Sequence, residues 1–253
     1  MIAIVSPAKS LDYLSPLPPV HATVPRFAAE AEALAKAAAK LTKPKLATLM
    51  HISDKLAALN VDRYRGFVDQ PERPAIYAFA GDVYTGFEAR SLEPEAIDYA
   101  QDHLRILSGL YGLLRPLDAI RPYRLEMGTR WAPGRTKDIY AHWGARIADL
   151  LAHDLHKEGS GILVNLASQE YWQAVAPTPP AGATILTIDF RDDGPNGLRF
   201  NSFAAKRARG MMARYICEHR ITDVAGLRAF DSDGYAYTAD GSDEATLRFV
   251  RAR

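Results

Sequence analysis

Leu104-Arg105-Ile106-Leu107-Ser108-Gly109-Leu110-Tyr111-Gly112-Leu113-Leu114-Arg115-Pro116-Leu117-Asp118, continued by Arg121-Pro122-Tyr123-Arg124-Leu125-Glu126-Met127-Gly128, is the stretch on which the reading of the fold turns. It reads as the end of a helix running from Pro94 to Leu107, a two-glycine hairpin and a short apolar return. Gly109 and Gly112 accept positive φ without a Cβ penalty, and Pro116 and Pro122 stop a helix from continuing. A tight bend of this kind aims backbone N–H groups at one point. With Arg105, Arg115, Arg121 and Arg124 around it, the bend suits a phosphate. A glycine-rich turn between two core segments fits the same residues.

The charge distribution extends that reading. The net charge of the 253 residues is only +1, yet from Arg105 to Lys137 seven basic residues stand against Asp118 and Glu126. From Lys206 to Arg220 five basic residues, among them Lys206, Arg209 and Arg214, stand against Glu218 alone. The rest of the chain is acidic. If the two segments meet, they wall a basic groove, the electrostatic footprint of a polyanion binder; pairing with distant carboxylates is the alternative. A single cysteine, Cys217, excludes an internal disulfide framework and any cysteine-based metal cluster within one chain, in keeping with a reducing cytoplasm. Met1-Ile2-Ala3-Ile4-Val5 has neither the basic start nor the apolar length of a secretion signal, and no membrane span is expected.

Taken in order, Ile2–Val5 is a buried strand that opens into Ser6-Pro7-Ala8-Lys9-Ser10. Ser6 and Lys9 match the S-x-x-K spacing of serine acyl-transfer enzymes, but the accompanying S-D-N and K-T-G elements are absent and Pro7 sits inside the motif. Lys9 fits a phosphate contact, an amine nucleophile or a solvated loop lysine. Helices are expected over residues 26–41 and 44–60, and a strand over Ala75–Phe79 leading to Gly81-Asp82-Val83-Tyr84. Asp82 and Tyr84 suit acid/base work or hydrogen bonding to a substrate, and equally a capped turn with a packed tyrosine. Asp138 is placed to cap a helix over residues 139–156, whose His153 and His156 lack the further ligands of a metal site. A second buried strand, residues 161–168, precedes a short helix, so that Asn165, Ser168 and Glu170 fall where a site forms. Strands at 184–190 and 198–203 flank a turn through Asn196. A basic helix over residues 204–220, interrupted by Gly210, and a last strand pair at 234–237 and 246–251 complete the chain. The expected architecture is α+β: a single domain over 1–253, with a mixed sheet flanked by helices and a helix-hairpin-helix element at about 94–122 beside a basic cleft.

These residues carry a resemblance. The blocks Ser6–Tyr13, Ile52–Leu56, Gly81–Gly86, Leu107–Asp118, Pro122–Gly128, Asn165–Ser168 with Glu170-Tyr171, and Lys206–Arg214 resemble the YaaA peroxide-stress protein family over essentially the whole chain. The resemblance implies a cytoplasmic bacterial protein that protects against hydrogen peroxide, limits intracellular iron and oxidative DNA damage, and binds duplex or distorted DNA. It is expected to do so as a monomer, in a positively charged cleft with a helix-hairpin-helix element and without a cofactor. Two positions depart from the family pattern: the Gly109–Gly112 spacing is one residue longer than the usual G-x-G, and Ala80 stands where a basic or amide residue is common.

The DNA contacts expected on this basis are Lys9, Arg105, Gly109, Gly112, Arg115, Arg121, Arg124, Lys206, Arg209 and Arg214. Ser6, Asp82, Tyr84, Asn165 and Ser168 line the cleft, and Tyr84, Tyr111 or Tyr123 offers a stacking surface for an exposed base. The alternative is a DNA-repair enzyme, a glycosylase or lyase acting on oxidised or distorted DNA in the same cleft, with Lys9 as amine nucleophile and Asp82 or Glu170 as acid/base. Direct iron sequestration ranks last, because no ligand set is visible.

Overall fold

A computed structural model describes residues 1–195 and 197–252. Four consecutive apolar residues, Ile2–Val5 (β1), lie inside an eight-stranded sheet with every side chain buried. In chain order the other elements that matter for the site are Ala28–Ala38 (α1), Asp54–Arg65 (α2), Asp82–Phe87 (α3), Pro94–His103 (α4), Leu104–Ser108 (β2) and Gly112–Leu114 (β3). They are followed by Arg146–Glu158 (α5), Ile162–Asn165 (β4), Thr184–Gly194 (β5), Gly197–Arg199 (β6), Ser202–Glu218 (α6), Tyr235–Thr238 (β7) and Thr246–Ala252 (β8). The sheet order is β7-β8-β5-β4-β1-β2-β3, with β6 paired to β5. Pairing is parallel from β8 through β5, β4 and β1 to β2, and antiparallel at β7/β8, β2/β3 and β5/β6. This is the mixed sheet of an α+β single domain. Because β1 has parallel neighbours on both sides, the chain leaves the carboxyl ends of β1 and β4 next to one another, the kind of crevice where open α/β sheets bind ligands.

The segment at 94–122 corrects the expected helix-hairpin-helix. Helix α4 ends at His103, and Leu104–Ser108 continues as β2, Leu104 registering with Ala3 and Ile106 with Val5. The unit is helix, strand, turn, strand. Its glycines serve the core: a Cβ on Gly109 would stand 2.3 Å from the Leu125 carbonyl oxygen. Gly112, at φ +66°, lies against the Trp143 ring, and the Trp143 indole N–H donates to the Gly109 carbonyl at 2.9 Å. No phosphate reaches a hairpin so enclosed.

Other expected elements are corrected locally. The helix read over residues 44–60 is two helices, broken at His51 (φ +48°), with the Ser53 hydroxyl accepting from the Leu56 N–H to start α2. Ala75–Ala78 is a helical turn rather than a strand, and only Phe79-Ala80 pairs, with Ser10-Leu11. The helix read over residues 139–156 divides at Gly144, although Asp138 does cap its first part by accepting from the Ala141 N–H at 2.7 Å. Leu198–Phe203 splits between β6 and the first turn of α6, because Asn201 caps that helix by accepting from the Ala204 N–H. Asn196, placed in the preceding turn, lies outside the described residues.

Candidate functional site

The carboxyl ends of β1 and β4 open into a cavity of about 380 Å³, the size of a small-ligand pocket. One wall is Ser6 to Ser10 after β1, a second is Ala80 to Tyr84 at the start of α3, and a third is Leu166, Ser168, Glu170 and Tyr171 after β4. Lys206 and Arg209, on α6, complete it. The sequence logic is plain: a buried strand fixes its last residue firmly, and the first polar residues beyond it are held at the rim.

Ser6 locks two walls together. Its hydroxyl accepts from the Ser168 N–H at 2.8 Å and donates to the Ser168 hydroxyl at 3.2 Å, while the Tyr84 hydroxyl donates to the Ser6 carbonyl at 3.1 Å. Those partners make Ser6 a fastening rather than a nucleophile. Asn165 is buried below the wall, its side-chain oxygen accepting from the Ala167 N–H at 3.0 Å, so it shapes the turn instead of lining the cavity. Tyr84 and Tyr171 present buried rings, and burial pushes both phenols well above their ordinary range. Both therefore stay protonated.

The cations divide into two groups. Lys9 is exposed, with Nζ 3.2 Å from Glu126, which also holds Arg124 at 3.1 Å. Lys206 is exposed with no carboxylate within 4 Å among the described residues. Arg209 is partly buried, makes no hydrogen bond within the described residues, and has its Nε shut away from solvent without a partner. Burial lowers its pKa from the ordinary arginine range, and the attraction of Asp189 only partly offsets this. Asp189 is itself already shared between Arg191 at 2.8 Å and Arg248 at 2.9 Å. A desolvated guanidinium is expensive unless an anion completes it.

The remaining expected contacts are corrected. Arg105 is buried, with Nε 2.6 Å from Asp154, and lines a separate cavity with Arg26, His103 and Arg115 that shares no residue with the first. Arg115 pairs with buried Asp118 at 2.8 Å, and Arg121 with Glu72 at 2.8 Å. Arg214 gives its hydrogens to the carbonyls of Phe87 and Glu88, to the Ser91 hydroxyl and to Glu218. Tyr111 and Tyr123 pack edge to face in the core, with ring centres 5.5 Å apart, and offer no surface to a base. Arg105, Arg115, Arg121 and Arg124 of the first basic segment are thus each answered by an internal carboxylate, whereas Arg130 and Arg135 are exposed without an ion pair among the described residues. Arg124 reaches the cavity rim through the Glu126 it shares with Lys9. Of the carboxylates, Asp82 opens α3 on the cavity wall, and Glu170 accepts from the Gly128 N–H at 3.0 Å.

Three residues of this region were not anticipated. Tyr171 lines the cavity, and Phe200 and Phe203 stand exposed beside the Lys206 end of α6. The available signal was two phenylalanines in the polar run Arg199-Phe200-Asn201-Ser202-Phe203, immediately before the basic helix.

Cys217, also on α6, is buried, and that burial, reinforced by Glu218, pushes its thiol up and out of reach. A thiol-specific reagent is expected to label none of the native protein within minutes and one group per chain after denaturation. Fast labelling of the native state would show that α6 opens.

Comparison with known proteins places this architecture. The model of a family described as peroxide stress protein YaaA matches residues 1–241. A UPF0246 protein of Rhizorhabdus wittichii is 68% identical over 253 residues, covering 100% of both chains. One from Polynucleobacter necessarius is 48% identical over 259 aligned positions, with 100% of each chain covered. A third, from Aliivibrio fischeri, is 47% identical over 255, covering 99% of this chain and 98% of its own. With a family match that runs nearly from end to end and relatives aligned over their full lengths, the chain belongs to the peroxide stress protein YaaA family.

Proposed function

We propose that this protein acts in the peroxide stress response by binding DNA, with the cavity at the ends of β1 and β4 as the place where backbone phosphate is gripped. The observation that carries the reading is Arg209: a guanidinium with a solvent-excluded Nε, no ion pair among the described residues, and an attracting carboxylate, Asp189, already committed to two other arginines. Lys206, one helical turn earlier on the same wall, adds exposed positive charge, and Lys9 and Arg124 share the single carboxylate of Glu126 at the rim. Phosphate contacts of this kind position a nucleic acid without reading its sequence, which suits protection of DNA at large. In the cell the proposal places the protein in the cytoplasm. Limiting intracellular iron enters it as an outcome of the response.

The test is the salt dependence of DNA affinity. Each phosphate contact contributes about 0.9 to the slope of log affinity against log salt concentration. Lys206→Ala with Arg209→Gln is expected to reduce that slope by roughly 2 and to weaken binding at low salt by about tenfold or more. Lys157→Ala, in the separate cavity, is expected to change neither quantity. Wild-type affinity and slope in the double variant would end the proposal.

Repair chemistry in the same cavity is the second reading, favoured by the presence of two carboxylates, Asp82 and Glu170, beside its cations. An amine nucleophile is activated by desolvation or a neighbouring cation. Lys9 instead is exposed and faces the carboxylate of Glu126. Borohydride trapping on abasic DNA separates the readings: a covalent adduct lost in Lys9→Ala supports a lyase, and its absence leaves binding without Schiff-base chemistry.

A further inference from the structure

We infer that Phe200 and Phe203 form a stacking platform for unpaired bases of a nucleic-acid strand whose phosphates enter the neighbouring cationic cavity. The inference rests on the DNA-binding reading of that cavity and adds to it the form of DNA preferred.

Its basis is an exposed aromatic surface that the fold holds in place. Phe203 is 74% exposed and Phe200 51%, on a protein whose other phenylalanines are mostly buried. Strand β6 ends at Arg199, and Asn201 fixes the backbone between the two rings. The Asn201 side-chain oxygen caps α6 by accepting from the Ala204 N–H, and its amide donates to Asp192 at 3.1 Å. The rings are therefore presented at an ordered corner, each with a large part of its surface open to solvent.

Cations border both rings. The Arg191 guanidinium lies 5.6 Å from the centre of Phe200, and the Lys206 ammonium 5.9 Å from the centre of Phe203. Arg199 and Arg207 are exposed nearby in sequence, with no carboxylate within 4 Å among the described residues. Lys206 belongs to the cavity wall and to the Phe203 ring at once, so platform and cavity are continuous. A ligand matching this surface carries flat apolar faces and regularly spaced negative charge together. Unpaired nucleotides do so, whereas a fully paired duplex hides its base faces in the stack. A second copy of the chain would bring a like cationic rim against this one, which repels.

The experiment compares Phe200→Ala/Phe203→Ala and Phe203→Trp with wild type on three oligonucleotides of one length: single-stranded, duplex with an unpaired bubble, and fully paired. Both rings are exposed, so the variants are expected to keep the wild-type melting temperature. The double alanine variant is expected to bind the single strand and the bubble about tenfold or more weakly. Its affinity for the paired duplex and its salt slopes stay unchanged, and Phe203→Trp retains full binding. Equal affinities of wild type and double variant on all three, or the same loss on the paired duplex, would overturn the platform while leaving cavity binding intact. Phe203-dependent adsorption to vesicles containing acidic lipid, or Phe203-dependent dimerisation in sedimentation, would assign the surface to another partner and overturn it too. Failure of the wild type to bind any of the three would overturn the underlying DNA reading itself.

Discussion

Asp154→Ala is expected to cost about 3–5 kcal/mol of stability, a fall in melting temperature of roughly 6–20 °C for a chain of this size. Asp154, on α5, is 7% exposed and answers two arginines at once. Arg26 Nη1 donates to both its oxygens at 2.7 and 2.8 Å, and Arg105 Nε donates at 2.6 Å from the sheet strand β2. Deleting the carboxylate leaves two neighbouring guanidiniums without the partner they share, one of them buried. The loss therefore far exceeds what a surface ion pair contributes.

The same residue sets an acid limit. Burial pushes the Asp154 carboxyl upward, but the hydrogen bond from Arg26 and the charge of Arg105 outweigh it and hold the group below the ordinary carboxylate value of 3.8. A carboxyl depressed in the folded state releases its proton more readily there than in the unfolded chain. Its stabilisation is complete above the unfolded value and is lost as pH falls through the folded one. Thermal melts of the wild type from pH 7 to pH 3 are thus expected to drop most steeply below about pH 4, where carboxyls of the unfolded chain take up protons. Asp154→Ala, starting lower, is expected to fall less over that interval. Parallel curves for the two proteins would show that Arg26 and Arg105 are neutralised elsewhere.

Gly210→Ala is the second large effect. In an exposed helix the change would add helix propensity worth about 1 kcal/mol. Here a methyl group at Gly210 would stand 1.8 Å from the Val83 carbonyl oxygen, and one at Gly86 would stand 2.1 Å from the Arg207 carbonyl oxygen. Helices α3 and α6 thus cross backbone against backbone through a reciprocal pair of glycines. Overpacking at such a contact costs about 1–3 kcal/mol, and more where backbone must move. A net loss of about 3 kcal/mol, or roughly 6–12 °C, is expected. The crossing also sets Lys206 and Arg209 opposite Asp82 and Tyr84, so the surviving folded protein is expected to lose DNA affinity as well. A raised melting temperature in this variant would mean the two helices are not in contact.

What the sequence disclosed, and what it withheld, follows from the range of the interactions concerned. Ser6 and Ser168 were legible because each lies just past an apolar run that is a buried strand, and the chain ends of parallel strands gather on one edge of a sheet. Asp82 reaches the same cavity by another route, since the run before it is a helical turn and only Phe79-Ala80 pairs, with Ser10-Leu11. The change at His103-Leu104 was not legible: no glycine or proline separates α4 from β2, and a short apolar run is equally a helix end or a buried strand. Pairing with β1, about a hundred residues away, decides it. The fate of the first basic segment was hidden for the same reason. Arg105 finds its carboxylate at Asp154 and Arg121 at Glu72, each 49 positions away, whereas a local charge count sees only neighbours. Arg209 gave the opposite outcome, since among the described residues no carboxylate pairs with it and Asp189, which attracts it, is held by Arg191 and Arg248.

The inaccessible thiol has a practical bearing on all of these measurements. Because Cys217 is the chain's single cysteine and sits in the interior, the unmodified protein offers a dark background to thiol-directed dyes. A cysteine placed at exposed Ser10, on the cavity mouth, becomes the one attachment point for a fluorophore. Its emission then reports arrival at the mouth directly, without isotopes, tags or a cysteine-free parent.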